Sequence, residues 1–187
     1  MAYEAFIEEH GPGEPYGAIQ AETLERLGPV FPPEYLAFLQ ESGLRTYMGG
    51  AFRTVDPLSY EAVRETWLPN LPSLYIFAMT AFGTLMLWDG ERVTTLAPNV
   101  AMYSHLVSRL EWLFDEELLD KKFVRDVVEL SSFRKVARKL GLLQPTEIYG
   151  YKNPLSSGGA ESIANLARYD APSHLARLGG LATLKPF

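Results

Sequence analysis

The chain contains no cysteine, which excludes disulfide bridges, thiolate metal sites and cysteine nucleophiles. Histidine is scarce, and the three that occur, His10, His105 and His174, never have the spacing that places two metal ligands on one helix face. Glycine-rich phosphate loops and the Gly-x-Ser-x-Gly pentapeptide of hydrolases are also missing. We therefore expect a protein without a cofactor or metal ion, and the sequence indicates no catalytic site.

Long apolar runs and excess positive charge are absent too. The N-terminus has neither a basic start nor an apolar stretch of signal-peptide length. The longest apolar stretch, residues 73–88, is interrupted by polar residues and glycine and is too short for a membrane span. The net charge is −6, whereas phosphate and anionic lipid attract clustered Lys and Arg. We expect a cytoplasmic protein that binds neither nucleic acid nor membranes.

The acidic residues are concentrated in two segments. Residues 1–28 carry six acids against one base, and residues 111–120 carry five acids and no base. Residues 121–140 reverse this pattern with seven bases and two acids. Such runs are typical of solvated helix faces, and an acidic face also complements a basic protein partner.

The apolar pattern predicts an α+β fold with helices around a small central antiparallel sheet. If residues 74–81 form a strand, both of its faces are apolar. This pattern predicts a central strand that is covered on both sides. Residues 85–88 and 91–96 are strand-like and flank Asp89-Gly90. Because Asp-Gly accepts positive φ, this pair predicts a hairpin with a two-residue turn.

Helices are predicted in the second half of the chain. Apolar residues at helical spacing from 106 to 114 predict one helix that carries the second acidic segment. Residues 160–178 also have a helical pattern, which we expect to break near Pro172. The preceding loop, Ser156 to Gly159, would then lie at the start of a helix. Its N–H groups could bind an anion there, or the loop could simply form a turn.

Three stretches in the N-terminal half resemble the GAD-like domain. A proline-led helix ending in glycine, residues 31–43, is similar to the helix that opens this domain and to one in SUKH-type immunity folds. Asp56-Pro-Leu-Ser-Tyr60 resembles its NP..Y step, with Asp56 in place of the usual Asn. The segment TAFGTLMLW, residues 80–88, resembles its TAFGDLYLW strand pair, with Thr84 where Asp is common.

The C-terminal half resembles the domain that follows it in Tdi-type immunity proteins of type VI secretion systems. The matching positions are residues 142–151, Gly158, Gly159, His174 and Leu175. Thr146 departs from the pattern, which often has an acid beside Glu147. The resemblance implies a GAD-like N-terminal lobe in residues 1–105 and a helical C-terminal lobe in residues 106–187, sharing one core.

Family members with known roles protect a producing cell from a nuclease toxin. The resemblance therefore implies a non-enzymatic immunity protein that binds a cognate toxin, expected to be a basic DNase, and occludes its active or DNA-binding surface. Charge complementarity makes the acidic segments the expected contact. The candidate toxin-binding residues are Asp115, Glu116 and Glu117, with Glu8 and Glu9 second, and the family-motif loop contributes Tyr149, Gly150, Gly158 and Gly159.

The motif residues also have ordinary physical explanations. Ring burial explains Tyr149 as a loop anchor, and positive φ explains Gly158 and Gly159. Two other functions stay open at this point: a small-ligand sensor or adaptor that uses the glycine loop, and a hydrolase with an unrecognised site.

Overall fold

The computed structural model describes residues 3–186, which form ten strands and a set of short helices. The strands are β1 (Glu14–Gly17), β2 (Leu44–Tyr47), β3 (Phe52–Thr54), β4 (Tyr75–Thr80), β5 (Leu85–Trp88), β6 (Val93–Ala97), β7 (Met102–Val107), β8 (Glu147–Tyr151), β9 (Leu166–Asp170) and β10 (Lys185–Pro186). The helices are α1 (Glu4–His10), α2 (Ala21–Leu27), α3 (Pro33–Ser42), α4 (Glu61–Trp67), α5 (Leu110–Asp115), α6 (Lys121–Asp126), α7 (Leu130–Leu140) and α8 (Ala171–Gly179). No helix within residues 3–186 is long and apolar enough to cross a membrane.

The α+β prediction is confirmed, but the central sheet is not small. Eight strands form it in the order β1-β2-β3-β4-β5-β6-β7-β10, and β8 pairs with β9 separately. Its strands are antiparallel except at the edge, where β10 runs parallel to β7. Strand β1 is largely exposed and β7 alternates between exposed and half-buried residues, so neither has the apolar alternation that marks a strand in a sequence.

The central strand and the hairpin lie where the sequence predicts them. Strand β4 is buried from its second residue onward and lies between β3 and β5. The hairpin loop has four residues rather than two, because Trp88 pairs with Val93. Asp89 Oδ1 accepts a hydrogen bond from the backbone N–H of Glu91 at 2.9 Å, and Gly90 adopts a φ of +99°. This side-chain bond stabilises the longer loop.

Two apolar clusters cover the two faces of the sheet. Phe77 of β4 belongs to the larger cluster, together with buried side chains of α1, α3 and α5. Ile76 and Met79 of the same strand point into the second cluster, which α4 and α8 complete. Helices therefore pack on both faces of the sheet, and the sides of these helices that face away from the sheet form the outer surface of the protein.

The helix predicted from residue 106 is wrong in extent. Leu106 lies in β7, and α5 begins only at Leu110 and ends at Asp115. Glu116 leaves the helical conformation, with φ −128° and ψ −65°, and a 3-10 turn follows at Glu117–Leu119. The second acidic segment is thus the end of a short helix joined to a turn.

The helix predicted over residues 160–178 is also wrong. Residues 166–170 form β9, which pairs with β8 along its whole length, from Tyr151 opposite Leu166 to Glu147 opposite Asp170. Pro172 does not interrupt a helix; it lies in the first turn of α8, where its missing N–H costs nothing. Pairing with β8 overrides the local helical pattern.

Candidate functional site

The structure brings the two acidic segments together. Phe6 of α1 is buried against Phe114 of α5, with ring centroids 5.3 Å apart and ring planes at 79°. The Nε2–H of His10, at the end of α1, donates to the carbonyl oxygen of Leu118 at 2.8 Å, across 108 positions of sequence. Helix α1 therefore lies directly beside the segment 110–120.

Four acids of these neighbouring segments are exposed or half-buried, and we call them the acidic surface. Glu8, Glu9 and Glu116 are exposed, and Glu117 is half-buried. Burial raises the pKa of Glu117, and the carboxylates of Asp120 and Glu116 raise it further. Like charges at this distance disfavour the ionised form, which is why they raise the pKa of Glu117.

Asp115 has a structural contact instead. Its carboxylate lies against the first turn of α1, where N–H groups have no helical partner, and its Oδ1 is buried without a hydrogen bond within residues 3–186. Burial raises the pKa of Asp115, the backbone N–H of Phe6 lowers it, and the charge of Glu111 raises it again. Asp115 thus joins α1 to α5 and supports the acidic surface from beneath.

The family-motif residue Tyr149 is buried, as expected for a loop anchor. Its hydroxyl donates to the carbonyl oxygen of Gly141, just after α7, at 2.5 Å. Its backbone N–H donates to the carbonyl oxygen of Ala81, just after β4, at 2.9 Å. Tyr149 therefore fixes α7 and β8 to the central sheet.

Gly150 makes room for His174. A Cβ atom on Gly150 would lie 2.4 Å from His174 Nε2, which is closer than packing allows. The imidazole is 4% exposed and stacks on Tyr169, with ring centroids 4.2 Å apart. Burial and the charge of Arg177 lower the pKa of His174 to about 4, so the ring is neutral at neutral pH. The two motif residues form one packing contact.

Gly158 and Gly159 are required for different reasons. Gly158 has a φ of +83°, as predicted. The same prediction for Gly159 is wrong: its φ is not positive, but a Cβ there would lie 1.9 Å from the carbonyl oxygen of Asn153. Close backbone approach, rather than a left-handed conformation, explains this glycine.

The glycine loop does not present free N–H groups to an anion. Ser156 N–H donates to the carbonyl oxygen of Asn99, and the next three N–H groups donate to the carbonyl oxygens of Pro154 and Leu155, at 2.9–3.0 Å. A short 3-10 turn at Ile163–Asn165 and then strand β9, rather than an α-helix, follow the loop. The anion-binding interpretation of this loop is therefore wrong.

A buried arginine that the sequence does not single out connects the two halves of the chain. Arg53 of β3 is 1% exposed, and its guanidinium donates to the carbonyl oxygens of Pro145 and of Glu147, the latter at 2.6 Å. Burial lowers the pKa of Arg53. A lone arginine in a strand pattern carries no sequence signal for such a contact.

A cleft at the end of the sheet contains a second unforeseen residue, Glu129. It precedes α7 with φ 56° and ψ 37°, a left-handed conformation that non-glycine residues seldom adopt. Within residues 3–186 its half-buried carboxylate forms no hydrogen bond or ion pair. Burial and the nearby Glu161 raise the pKa of Glu129 to about 7.

An apolar groove of about 450 Å³ lies between the end of α4 and strands β5–β7. Leu71, 52% exposed, and Tyr103, 41% exposed, form its two rims. Trp67 and His105 also line it. Its size falls within the range of small-molecule pockets.

The histidines lie on three separate elements: His10 on α1, His105 on β7 and His174 on α8. Among residues 3–186, no group of three or more His, Asp or Glu side chains is arranged to hold a metal ion.

Comparison with known proteins identifies the family of this chain. The GAD-like domain model matches residues 1–101, and the model of "T6SS immunity protein Tdi1, C-terminal" matches residues 111–182. The comparison with curated proteins gives no match. The crystal structure of Atu4351 from Agrobacterium tumefaciens shares the fold, with a TM-score of 0.80 at 20% identity, covering 98% of this chain and 91% of that chain. The chain therefore belongs to the GAD-like family, with the C-terminal domain of the type VI secretion immunity protein Tdi1, and is itself an immunity protein of this kind.

Proposed function

We propose that this immunity protein neutralises a DNase toxin by binding it stoichiometrically and covering the basic surface with which the toxin holds DNA. A DNase needs Lys and Arg to contact phosphates, so an acidic protein competes with DNA for the same residues. The observation that supports this proposal is the junction of α1 with α5. It gathers acids from two distant segments into one acidic surface.

The electrostatics of the acidic surface favour fast association. No basic residue lies between positions 111 and 120 to neutralise the acids of this surface, and the pKa of Glu117 is raised. Charges arranged in this way accelerate encounter with an oppositely charged protein, most strongly at low salt. Speed matters for an inhibitor that must reach the toxin before the toxin reaches DNA.

The test is the association rate between the purified chain and its cognate toxin, at low and at physiological salt. The variant carries Glu8→Lys, Glu9→Lys, Glu116→Lys and Glu117→Lys, and leaves Asp115 intact because it supports α1. We expect the association rate at low salt to fall by about tenfold or more, with a weaker salt dependence.

Glu22→Lys with Glu25→Lys on α2 provides the matched control, since both acids are exposed but lie outside the acidic surface. A folded quadruple variant with an unchanged rate and salt dependence would reject the acidic surface. The DNase part is tested separately by plasmid cleavage. Cleavage that stops at one equivalent of this chain supports it, and a toxin without activity on DNA contradicts it.

Ligand binding in the apolar groove is a second candidate function, because the groove combines exposed apolar rims with pocket-like size. Native mass spectrometry of the purified chain tests it. A co-purifying small molecule that is lost in Leu71→Asp would support a sensor or adaptor role, and a ligand-free protein would argue against one.

A further inference from the structure

We propose that the basic exposed face of α7 binds the acidic surface of a second copy of this chain, so that the free protein forms a symmetric dimer. The dimer goes beyond the proposed function and does not depend on it. Because the acidic surface is also the proposed toxin contact, we expect the toxin and the second copy to compete for it.

Helix α7 carries four cations on one side, which we call the cationic face: Arg134, Lys135, Arg138 and Lys139. All four side chains are exposed. Phe133 and Val136, on the opposite side of the helix, are buried in the larger apolar cluster. The apolar side therefore anchors α7 to the core, and the cations remain accessible to a partner.

The cationic face has no anionic partner in the free chain. None of its four side chains forms an ion pair within residues 3–186, and Arg138 Nε donates only to the backbone carbonyl oxygen of Arg134, at 3.1 Å. Lys135 lines a cavity with Glu129 and Glu161 but is not within ion-pair distance of either carboxylate. These positive charges are therefore free to pair with a partner.

Repulsion within the cationic face makes it unfavourable for the free helix. Arg134 and Arg138 are four residues apart, as are Lys135 and Lys139, and like charges at this spacing destabilise a helix. Arg138 and Lys139 lie in the last turn, where the helix dipole favours cations, but Arg134 and Lys135 lie too far from the end to benefit. Carboxylates of a partner would relieve this repulsion.

Charge complementarity favours a second copy of this chain as the partner. The four cations are matched by the four carboxylates of the acidic surface, at Glu8, Glu9, Glu116 and Glu117. A nucleic acid or an anionic membrane is an extended polyanion, which that surface and the net charge of −6 repel. A compact acidic patch avoids most of this repulsion, and the chain itself provides one.

The positions of the two charged surfaces permit a symmetric contact. Phe6 of α1, Phe114 of α5 and Phe133 of α7 belong to the same apolar cluster, so both surfaces lie on the same side of the central sheet. Helix α6 lies between them, because it packs against the turn 117–119 and against α7. A twofold axis that runs between the surfaces would place each acidic surface opposite the cationic face of the other copy.

Exposed apolar side chains beside both surfaces add a contact that is not ionic. Trp112, 37% exposed, lies one turn before Glu116, and its carbonyl oxygen accepts the Glu116 N–H at 3.1 Å. Leu142, 67% exposed, follows the end of α7. The twofold arrangement brings Trp112 of one copy towards Leu142 of the other. Tryptophan and arginine are enriched among the residues that dominate interface energies.

The first experiment measures the mass of the full chain by sedimentation velocity over a range of protein concentrations. At low salt we expect the mass to approach twice that of the monomer as the concentration rises. At high salt we expect the monomer, because ions screen exposed charges. A wild-type chain that remains monomeric at low salt would overturn the inference.

Reversing the cationic face tests the contact directly. We expect the dimer dissociation constant to rise by at least about tenfold in the variant Arg134→Glu, Lys135→Glu, Arg138→Glu, Lys139→Glu. Arg92→Glu with Lys185→Glu is the control, because both bases are exposed and lie on other elements. Circular dichroism verifies folding, and the corresponding Gln substitutions replace the Glu variant if it unfolds. A folded variant that dimerises like the wild type contradicts the proposal.

A mixture of two variants tests whether the two surfaces meet each other. The variant with Lys at all four positions of the acidic surface should also be monomeric. Mixed in equal amounts with the reversed α7 variant, it should form a mixed dimer, because each basic surface then meets an acidic one. Two folded variants that form no mixed dimer would overturn the contact.

Addition of the cognate toxin separates the dimer from the proposed function. We expect one copy of this chain in each toxin complex, because the toxin and the second copy use the same acids. A toxin complex that retains the dimer would overturn the acidic surface as the toxin contact and leave the dimer intact. A monomeric chain that binds duplex DNA or anionic vesicles, and loses this binding in the α7 variant, would overturn the dimer.

Discussion

Replacing Glu129 with Gln should stabilise the free protein at alkaline pH and leave its stability unchanged under acidic conditions. The folded state raises the pKa of Glu129 from 4.5 to about 7. Between these values the folded protein holds a proton that the unfolded chain has lost, so the stability of the wild type falls as pH rises. The Gln variant has no such group, so the difference between the two proteins should grow from about pH 4.5 and level off above about pH 7.

The size of this difference follows from the shift. The rise from 4.5 to about 7 corresponds to about 3 kcal/mol at roughly 1.4 kcal/mol per unit. Because the carboxylate is only half-buried and water screens it, we expect about 1–3 kcal/mol at pH 8. Gln keeps the shape of the side chain, so packing should contribute little.

Urea unfolding followed by circular dichroism at several pH values between about 4.5 and 8 measures this free energy directly. Glu22→Gln on α2 serves as the control, because Glu22 is exposed and is not among the charges that shift the Glu129 pKa. A constant offset between wild type and Glu129→Gln across the pH range would refute the reasoning, as would a variant that is less stable at pH 8. Either result would mean that Glu129 is not a desolvated acid.

Three further substitutions test the contacts that hold the motif regions in place, all by urea unfolding. Arg53→Met leaves carbonyl oxygens of the C-terminal half without their donor and should cost about 2–4 kcal/mol; a loss below about 1 kcal/mol would contradict the importance of this contact. Tyr149→Phe removes the hydroxyl bond to Gly141 and should cost about 1 kcal/mol, and unaltered stability would show that water replaces it. Gly159→Ala forces a clash with the Asn153 carbonyl and should cost more than about 2 kcal/mol, which a fully stable variant would disprove.

The parts of the fold that the sequence predicts well are those in which local pattern and tertiary burial agree. Strand β4 is buried on both faces, so its apolar run has one consistent interpretation. The turn between β5 and β6 contains Asp89-Gly90, whose conformational preference and side-chain bond both close a hairpin. An element can be predicted when its local sequence pattern and its tertiary burial favour the same structure.

The failures arise where pairing with a distant strand decides the structure. Strand β9 has the burial pattern of an exposed edge, and only its partner β8 selects a strand over a helix. Strand β7 is similar, since Tyr103 and His105 face solvent while β6 supplies the hydrogen bonds. No local signal distinguishes these segments from helices, because the stabilising partner lies elsewhere in the chain.

The candidate site also combines features that are visible in the sequence with features that depend on distant contacts. Charge runs identify both acidic segments, because a run of acids is visible in the sequence alone. Their adjacency depends on Phe6 packing against Phe114, and the difference between Asp115 and its neighbours depends on the burial of its carboxylate against the start of α1. Glu129 has no sequence signal at all, since neither its left-handed backbone nor its buried position follows from neighbouring residues.

Arg53 and Glu129 illustrate two opposite consequences of enclosing a charged side chain. Arg53 is almost fully enclosed, yet carbonyl oxygens of Pro145 and Glu147 accept its hydrogen bonds, so its charge contributes to the fold by joining β3 to the C-terminal half. Glu129 has a strained backbone and a carboxylate without a partner, so it weakens the fold that contains it. The two residues therefore affect stability in opposite ways: hydrogen-bond acceptors compensate the burial of Arg53, whereas no hydrogen-bond donor or cation within residues 3–186 compensates the burial of Glu129.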